Sequence, residues 1–94
     1  MSRPLYKQPN ESRMFAINFS ANLESGETIN AINSVTVTGA GLTVGSQSIT
    51  SDGKKVQFRV SDGTAGESYQ ITVVATTTQS NILEGDGILV VKQI

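Results

Sequence analysis

Between Lys55 and Val60 apolar and polar side chains alternate without a break, with Val56, Phe58 and Val60 on one side and Lys55, Gln57 and Arg59 on the other. A period of two is that of an extended strand with one face in a dry core and one in water. Ser51-Asp52-Gly53 stands before this run and Ser61-Asp62-Gly63 after it. Asp-Gly tolerates the positive φ values that tight hairpin turns require, so each tripeptide predicts a chain reversal. The two reversals bracket a strand of ordinary length.

The rest of the chain reads in the same way. Arg13 to Ser20 predicts a first strand, with Phe15, Ile17 and Phe19 alternating with Ala16 and Asn18. Leu23 is expected under the following loop, and Glu24-Ser25-Gly26-Glu27 reads as a turn. Ile29 to Thr38 follows as an extended, bent or bulged stretch with Val35 and Val37 on one face. Gly39-Ala40-Gly41 ends it, and Leu42 to Thr50 predicts another strand with a kink at Gly45. Tyr69 to Thr77 places Tyr69, Ile71, Val73 and Ala75 on one face. Thr78 to Gly87 reads as a long polar loop ending in Glu84-Gly85-Asp86-Gly87, and Gly87 to Ile94 as the last strand.

Thr, Val and Ile are abundant and suit a pleated surface better than a helix. Good helix formers nowhere cluster at helical spacing, so essentially no helix is expected. Six or seven short strands separated by turn signals predict an all-β fold, an immunoglobulin-like antiparallel β-sandwich. The Cys-Trp-Cys core of antibody domains is missing, since the chain has neither residue type. Tyr69 opens the second-last strand after a glycine-containing turn; its hydroxyl either closes a corner on backbone, as in such sandwiches, or simply meets water.

Ninety-four residues make one domain. Residues 1–12 are polar, hold both prolines (Pro4 and Pro9), and read as an extended N-terminal arm ahead of a domain spanning 13–94. Such an arm is either a terminus with little structure of its own or a device that docks on a neighbouring subunit. The N-terminus leads into no apolar h-region and no apolar run is long enough to cross a bilayer, so neither a signal peptide nor a membrane contact is expected.

The formal net charge is -1 and the basic residues are scattered, which argues against a nucleic-acid partner. Histidine and cysteine are both absent, which removes the usual general bases, nucleophile pairs and thiolate metal sites, so no catalytic residue is assigned and an enzyme is not expected. The eight acidic residues lie nearly all beside Gly, Ser or Asn in predicted turns, which turn chemistry explains. If strand direction alternates, Glu24, Glu27, Asp52, Glu84 and Asp86 gather at one end, where oxygen ligands could hold a cation. None falls in a calcium-loop spacing, and neither a metal nor a cofactor is assigned. Gly39-Ala40-Gly41-Leu42-Thr43-Val44-Gly45 fails as a nucleotide loop, because its third glycine comes one residue late and no helix follows.

Protein contact remains. If Tyr69, Ile71 and Val73 point inward, Val74 points outward, and in the last strand either Leu89 and Val91 or Ile88 and Val90 must do the same. Val74, Ile88 and Val90 are therefore candidate residues of an apolar outer stripe, which either is a subunit contact, in a homo-oligomer or with another protein, or is covered by the arm or the terminus. Thr78, Gln79 and Asn81 lie in a polar run whose hydroxyls and amides suit an adaptable contact loop.

Five stretches resemble one known family. Phe15-Ala16-Ile17-Asn18-Phe19-Ser20 resembles its opening aromatic-x-Ile-Asp-aromatic-Ser strand, Gly26-Glu27-Thr28-Ile29 its Gly-Asp/Glu-Thr-Ile turn, and Ala40-Gly41-Leu42-Thr43-Val44 its Ala-Gly-Leu-Thr-Val stretch. Ser61-Asp62-Gly63-Thr64-Ala65-Gly66-Glu67-Ser68-Tyr69 resembles its Ser-Gly-Gly-Thr-Ala-Gly-x-x-Tyr corner, and Ile71-Thr72-Val73 with Thr76-Thr77 the strand after it. Over residues 7–94 the chain is thus similar to the small phage fibre–tail adaptor proteins, Ig-like virion structural proteins. It departs from them in having no tryptophan, in Asn18 for the usual Asp, and in a longer final hairpin. The resemblance implies a phage or prophage structural protein at the tail or head–tail junction, made in the bacterial host cytoplasm and linking phage tail and fibre proteins. It brings no catalytic residues. The alternative is an Ig-like adhesion module for host-surface glycans or receptors, which exposed aromatic platforms would favour.

Overall fold

The computed structural model describes residues 5–93. Seven strands form: β1 (Leu5–Lys7), β2 (Arg13–Asn18), β3 (Ile29–Val37), β4 (Leu42–Ile49), β5 (Lys55–Asp62), β6 (Ser68–Thr77) and β7 (Ile82–Val91). The only helical element among the described residues is a single 3-10 turn, Ser20–Asn22. The expected all-β class is what the chain adopts.

The strands divide between two sheets, one of four strands in the order β1-β7-β6-β3 and one of three in the order β2-β5-β4. All neighbouring pairs are antiparallel except β1 with β7. The two sheets share one core. Val56, Phe58 and Val60 of β5 meet Tyr69, Ile71, Val73 and Ala75 of β6 and Leu89 and Val91 of β7, with Phe19 and Ile29 closing the margins. These are the inward residues of the period-two patterns, and Lys55, Gln57 and Arg59 point away as the alternation requires. Burying each large side chain contributes about 1.5–3 kcal/mol, so the fold rests on these alternate positions.

Irregularities fall where the sequence bends. β3 slips register against β6 between Ile29 and Ala31 and between Ile32 and Ser34, the bulged stretch expected there. β4 slips against β5 just after Gly45, where Ser46 takes a φ of 52°. At the hairpin after β4, Gly53 has φ 71° and packs so closely on Thr28 that a Cβ would lie 2.6 Å from the Thr28 Cβ.

Two segments differ from the reading of the sequence. β7 starts at Ile82, so Thr78 to Asn81 is a short turn, and Glu84 and Asp86 lie on a strand instead of in a loop. Gly85 and Gly87 had suggested a loop. They are inward positions of β7 over which another element packs: a Cβ on Gly85 would sit 2.7 Å from Ile17 Cγ2 and 2.9 Å from Phe19 Cε1. This also disperses the acidic set expected at one end, and no three acidic residues come together as a metal site among the described residues. Within the N-terminal arm, Leu5–Lys7 is a strand, paired in register with Leu89–Val91. Lys7 is buried, and its ammonium donates to the Gln8 and Pro9 carbonyls at 2.7 and 3.1 Å.

Candidate functional site

The outer face of the four-stranded sheet is built from the even-numbered residues of β7 and their neighbours. Leu89 and Val91 are fully buried, which turns Ile88 and Val90 outward. Tyr6 of β1 is the cross-strand partner of Val90. Tyr6, Ile88 and Val90 therefore form one apolar cluster, with Tyr6 55 % and Ile88 42 % exposed and Val90 half-buried. Four large hydrophobic residues are exposed among those described, namely Tyr6, Met14, Ile82 and Ile88, and three of them belong to this face. The fourth, Met14, lies beside Arg59 on the outer face of the other sheet, which otherwise carries Lys55, Gln57 and Arg59.

The stripe is not continuous. Val74 is half-buried on the same face, opposite Glu84 on one side and Ser34 on the other. Between it and Ile88 runs the pair Thr72–Asp86, whose hydroxyl donates to the carboxylate at 2.7 Å. Ile82, 68 % exposed, lies beyond Val74 at the far end. The six candidate residues thus sit in separate places: Ile88 and Val90 near one end of β7, Val74 mid-sheet, and Thr78, Gln79 and Asn81 in the turn before Ile82. Eight strand residues, about 27 Å, separate the ends.

That turn is pinned. Glu27 is 2 % exposed and reaches into it from the loop before β3. Its Oε1 accepts the Glu24 backbone N–H at 2.9 Å, and its Oε2 accepts the Thr77 hydroxyl and, at 2.8 Å, the Asn81 amide. These bonds, the Glu24 N–H first, hold the Glu27 carboxyl below its ordinary pKa against the opposing effect of burial. Thr78 is tied as well: its N–H donates to the Thr28 carbonyl at 2.8 Å, and its hydroxyl accepts the Thr28 N–H at 3.2 Å. Thr78 and Asn81 spend side-chain bonds inside the protein, leaving the exposed Gln79 as the freer contact.

Tyr6 and Ile82 were missed by sequence reasoning, because one stood in the arm and the other in the supposed loop. The signal for Ile82 was present in the alternation Leu83, Gly85, Gly87, Leu89, Val91, once glycine is allowed on an inward face. Glu27 looked like an ordinary turn carboxylate.

The second lock lies at the opposite end. The Tyr69 hydroxyl accepts the Thr64 N–H and donates to the Ala40 carbonyl, each at 3.0 Å, so it closes a corner on backbone. Glu27, Ala40, Thr64 and Tyr69 all fall within stretches that carry the family resemblance. Across residues 7–90 the sequence matches the family described as podophage GP4 fiber-tail adaptor protein gp77. The chain belongs to that family. No curated protein and no solved structure matches it. As a gp77-type adaptor it is a phage structural protein, and its family assigns it to the fibre–tail region of the particle.

Proposed function

We propose that this adaptor links fibre to tail in the virion by protein–protein binding through the outer face of its four-stranded sheet, without catalysis, on an immunoglobulin-like scaffold. The scaffold reading is supported by strand order. β7-β6-β3 and β2-β5-β4 follow the sequence of the G-F-C and B-E-D strands of such sandwiches. The Tyr69 bond to Thr64, five residues upstream at the start of β6, corresponds to their tyrosine corner. The chain holds no histidine and no cysteine, which favours a non-enzymatic role.

The observation that carries the binding reading is the gathering of exposed apolar side chains, Tyr6, Ile88 and the half-buried Val90, on one face of a small domain. Val74 extends the contact, and Thr78, Gln79 and Asn81 supply its polar rim at the far end. An adhesion module presenting aromatic platforms is disfavoured, because Tyr6 is the sole largely exposed aromatic of the five. The test is fibre attachment to tails reconstituted with Ile88→Asp and Val90→Asp. Each variant is expected to lose attachment while melting as a folded domain; undiminished attachment in both contradicts the proposal.

A further inference from the structure

Val91 donates its N–H to the Glu67 carbonyl and accepts the Gly66 N–H on the β6 side of the strand, whereas the Lys92 N–H donates to the Lys7 carbonyl on the β1 side. With a period of two, odd-numbered residues of β7 serve β6 and even-numbered ones serve the opposite edge. Among the described residues, β1 covers that edge at Leu89–Val91. At Glu84 and Asp86 the backbone N–H and C=O therefore face outward with no strand partner among the described residues.

Beside this edge lies a groove of about 320 Å³ between β7 and β2. Leu5, Ile17, Phe19, Gly85 and Gly87 form its apolar part. Glu84 and Asp86, both exposed, flank it and no basic residue lines it. We propose that the open edge of β7, Glu84 to Gly87, takes up an extended partner strand bearing lysine or arginine, which adds to the four-stranded sheet. β1 already shows that this edge accepts a strand, and in strand addition the main chain supplies affinity and alternate side chains supply selectivity. Residues of the added strand facing the groove would be small or apolar, since Ile17 and Phe19 fill its floor. Those on the outer face would stand about 5 Å from Glu84 and Asp86, where opposite charge is favoured. The inference rests on the adaptor reading, which calls for more than one protein contact, but it engages a strand edge and not the Ile88–Val90 face.

The test uses the full chain, 15N-labelled, with two synthetic peptides that alternate valine with lysine or valine with glutamate. The lysine peptide is expected to shift the Glu84 and Asp86 amides and slow their hydrogen exchange by about tenfold or more, while the glutamate peptide does neither. The double variant Glu84→Lys/Asp86→Lys should reverse the preference. The peptide is titrated into the wild-type chain and read at Glu84 and Asp86, whereas the face contact is read by fibre attachment of Ile88→Asp and Val90→Asp, so failure of the face contact and failure of the edge contact are read separately. Any of three results overturns the proposal: no effect of the lysine peptide, Glu84 and Asp86 amides as protected in the free protein as Gly85 and Gly87, or protection that grows with protein concentration alone.

Discussion

Single side chains close this fold where the sheets cannot. Tyr69 is 2 % exposed, and its hydroxyl is the partner of both the Thr64 N–H and the Ala40 carbonyl. Tyr69→Phe keeps the ring and strands both groups, so it should cost about 1–3 kcal/mol. Urea unfolding checks this: a lower midpoint at unchanged slope is expected, and an unshifted midpoint contradicts it. Gly85 makes the opposite case, in which a side chain must be absent. Gly85→Ala drives a methyl against Ile17 and Phe19 and should destabilise by about 1–3 kcal/mol through overpacking. A melting curve equal to that of the wild type would show the contact to be soft. The corner tyrosine was legible as one of two alternatives, because its position after a turn is a sequence feature. The role of Gly85 was not, because the side chains that exclude a Cβ, Ile17 and Phe19, belong to a distant part of the chain, and period-two reasoning treats each strand alone.

Among the elements, β5 and β6 were read almost to their ends, since full alternation leaves one register that buries the apolar set. β7 was read only in its second half. Glycine at two inward positions and acids at the outward ones gave its first half the composition of a loop. The short turn joining β6 to β7 lies inside what reads as a long polar loop, Thr78 to Gly87, and the carboxylate that fixes it lies on a distant loop. Because Glu27 titrates below its ordinary value of 4.5 in the folded state, its contribution to stability is complete above that range. It is lost as pH falls through the lower folded value. Asp52, held low first by the Thr50 hydroxyl and then by the Lys54 N–H, acts in the same direction. The melting temperature should therefore fall as pH drops below about 4.5, and Glu27→Gln should fall less steeply over the same descent. Parallel curves for the two proteins would contradict the role given to Glu27. At neutral pH the same variant should speed hydrogen exchange at Gln79 and Asn81, whose N–H groups bond the Thr77 hydroxyl that Glu27 holds.

At the scale of the whole molecule, the two outer faces differ in kind. One carries Lys55 and Arg59, with a single exposed large apolar residue among those described, Met14, beside Arg59; the other exposes Tyr6, Ile82 and Ile88. The sequence supplied the outward Ile88 and Val90 as one of two choices for β7, and burial of Leu89 and Val91 decides between them. The sequence could not supply Tyr6, because nothing local pairs residue 6 with residue 90. Substituting an exposed strand position changes stability by about 1 kcal/mol or less, so Ile88→Asp should separate binding from folding. The most direct test of the adaptor face is hydrogen–deuterium exchange of the protein free and assembled with the tail and fibre proteins of its phage. Protection on assembly is expected at Tyr6, Ile88 and Val90, with Gln57 and Arg59 of the opposite sheet unchanged. Protection confined to the Lys55–Arg59 face, with Ile88 and Val90 exchanging as in the free protein, would contradict the account.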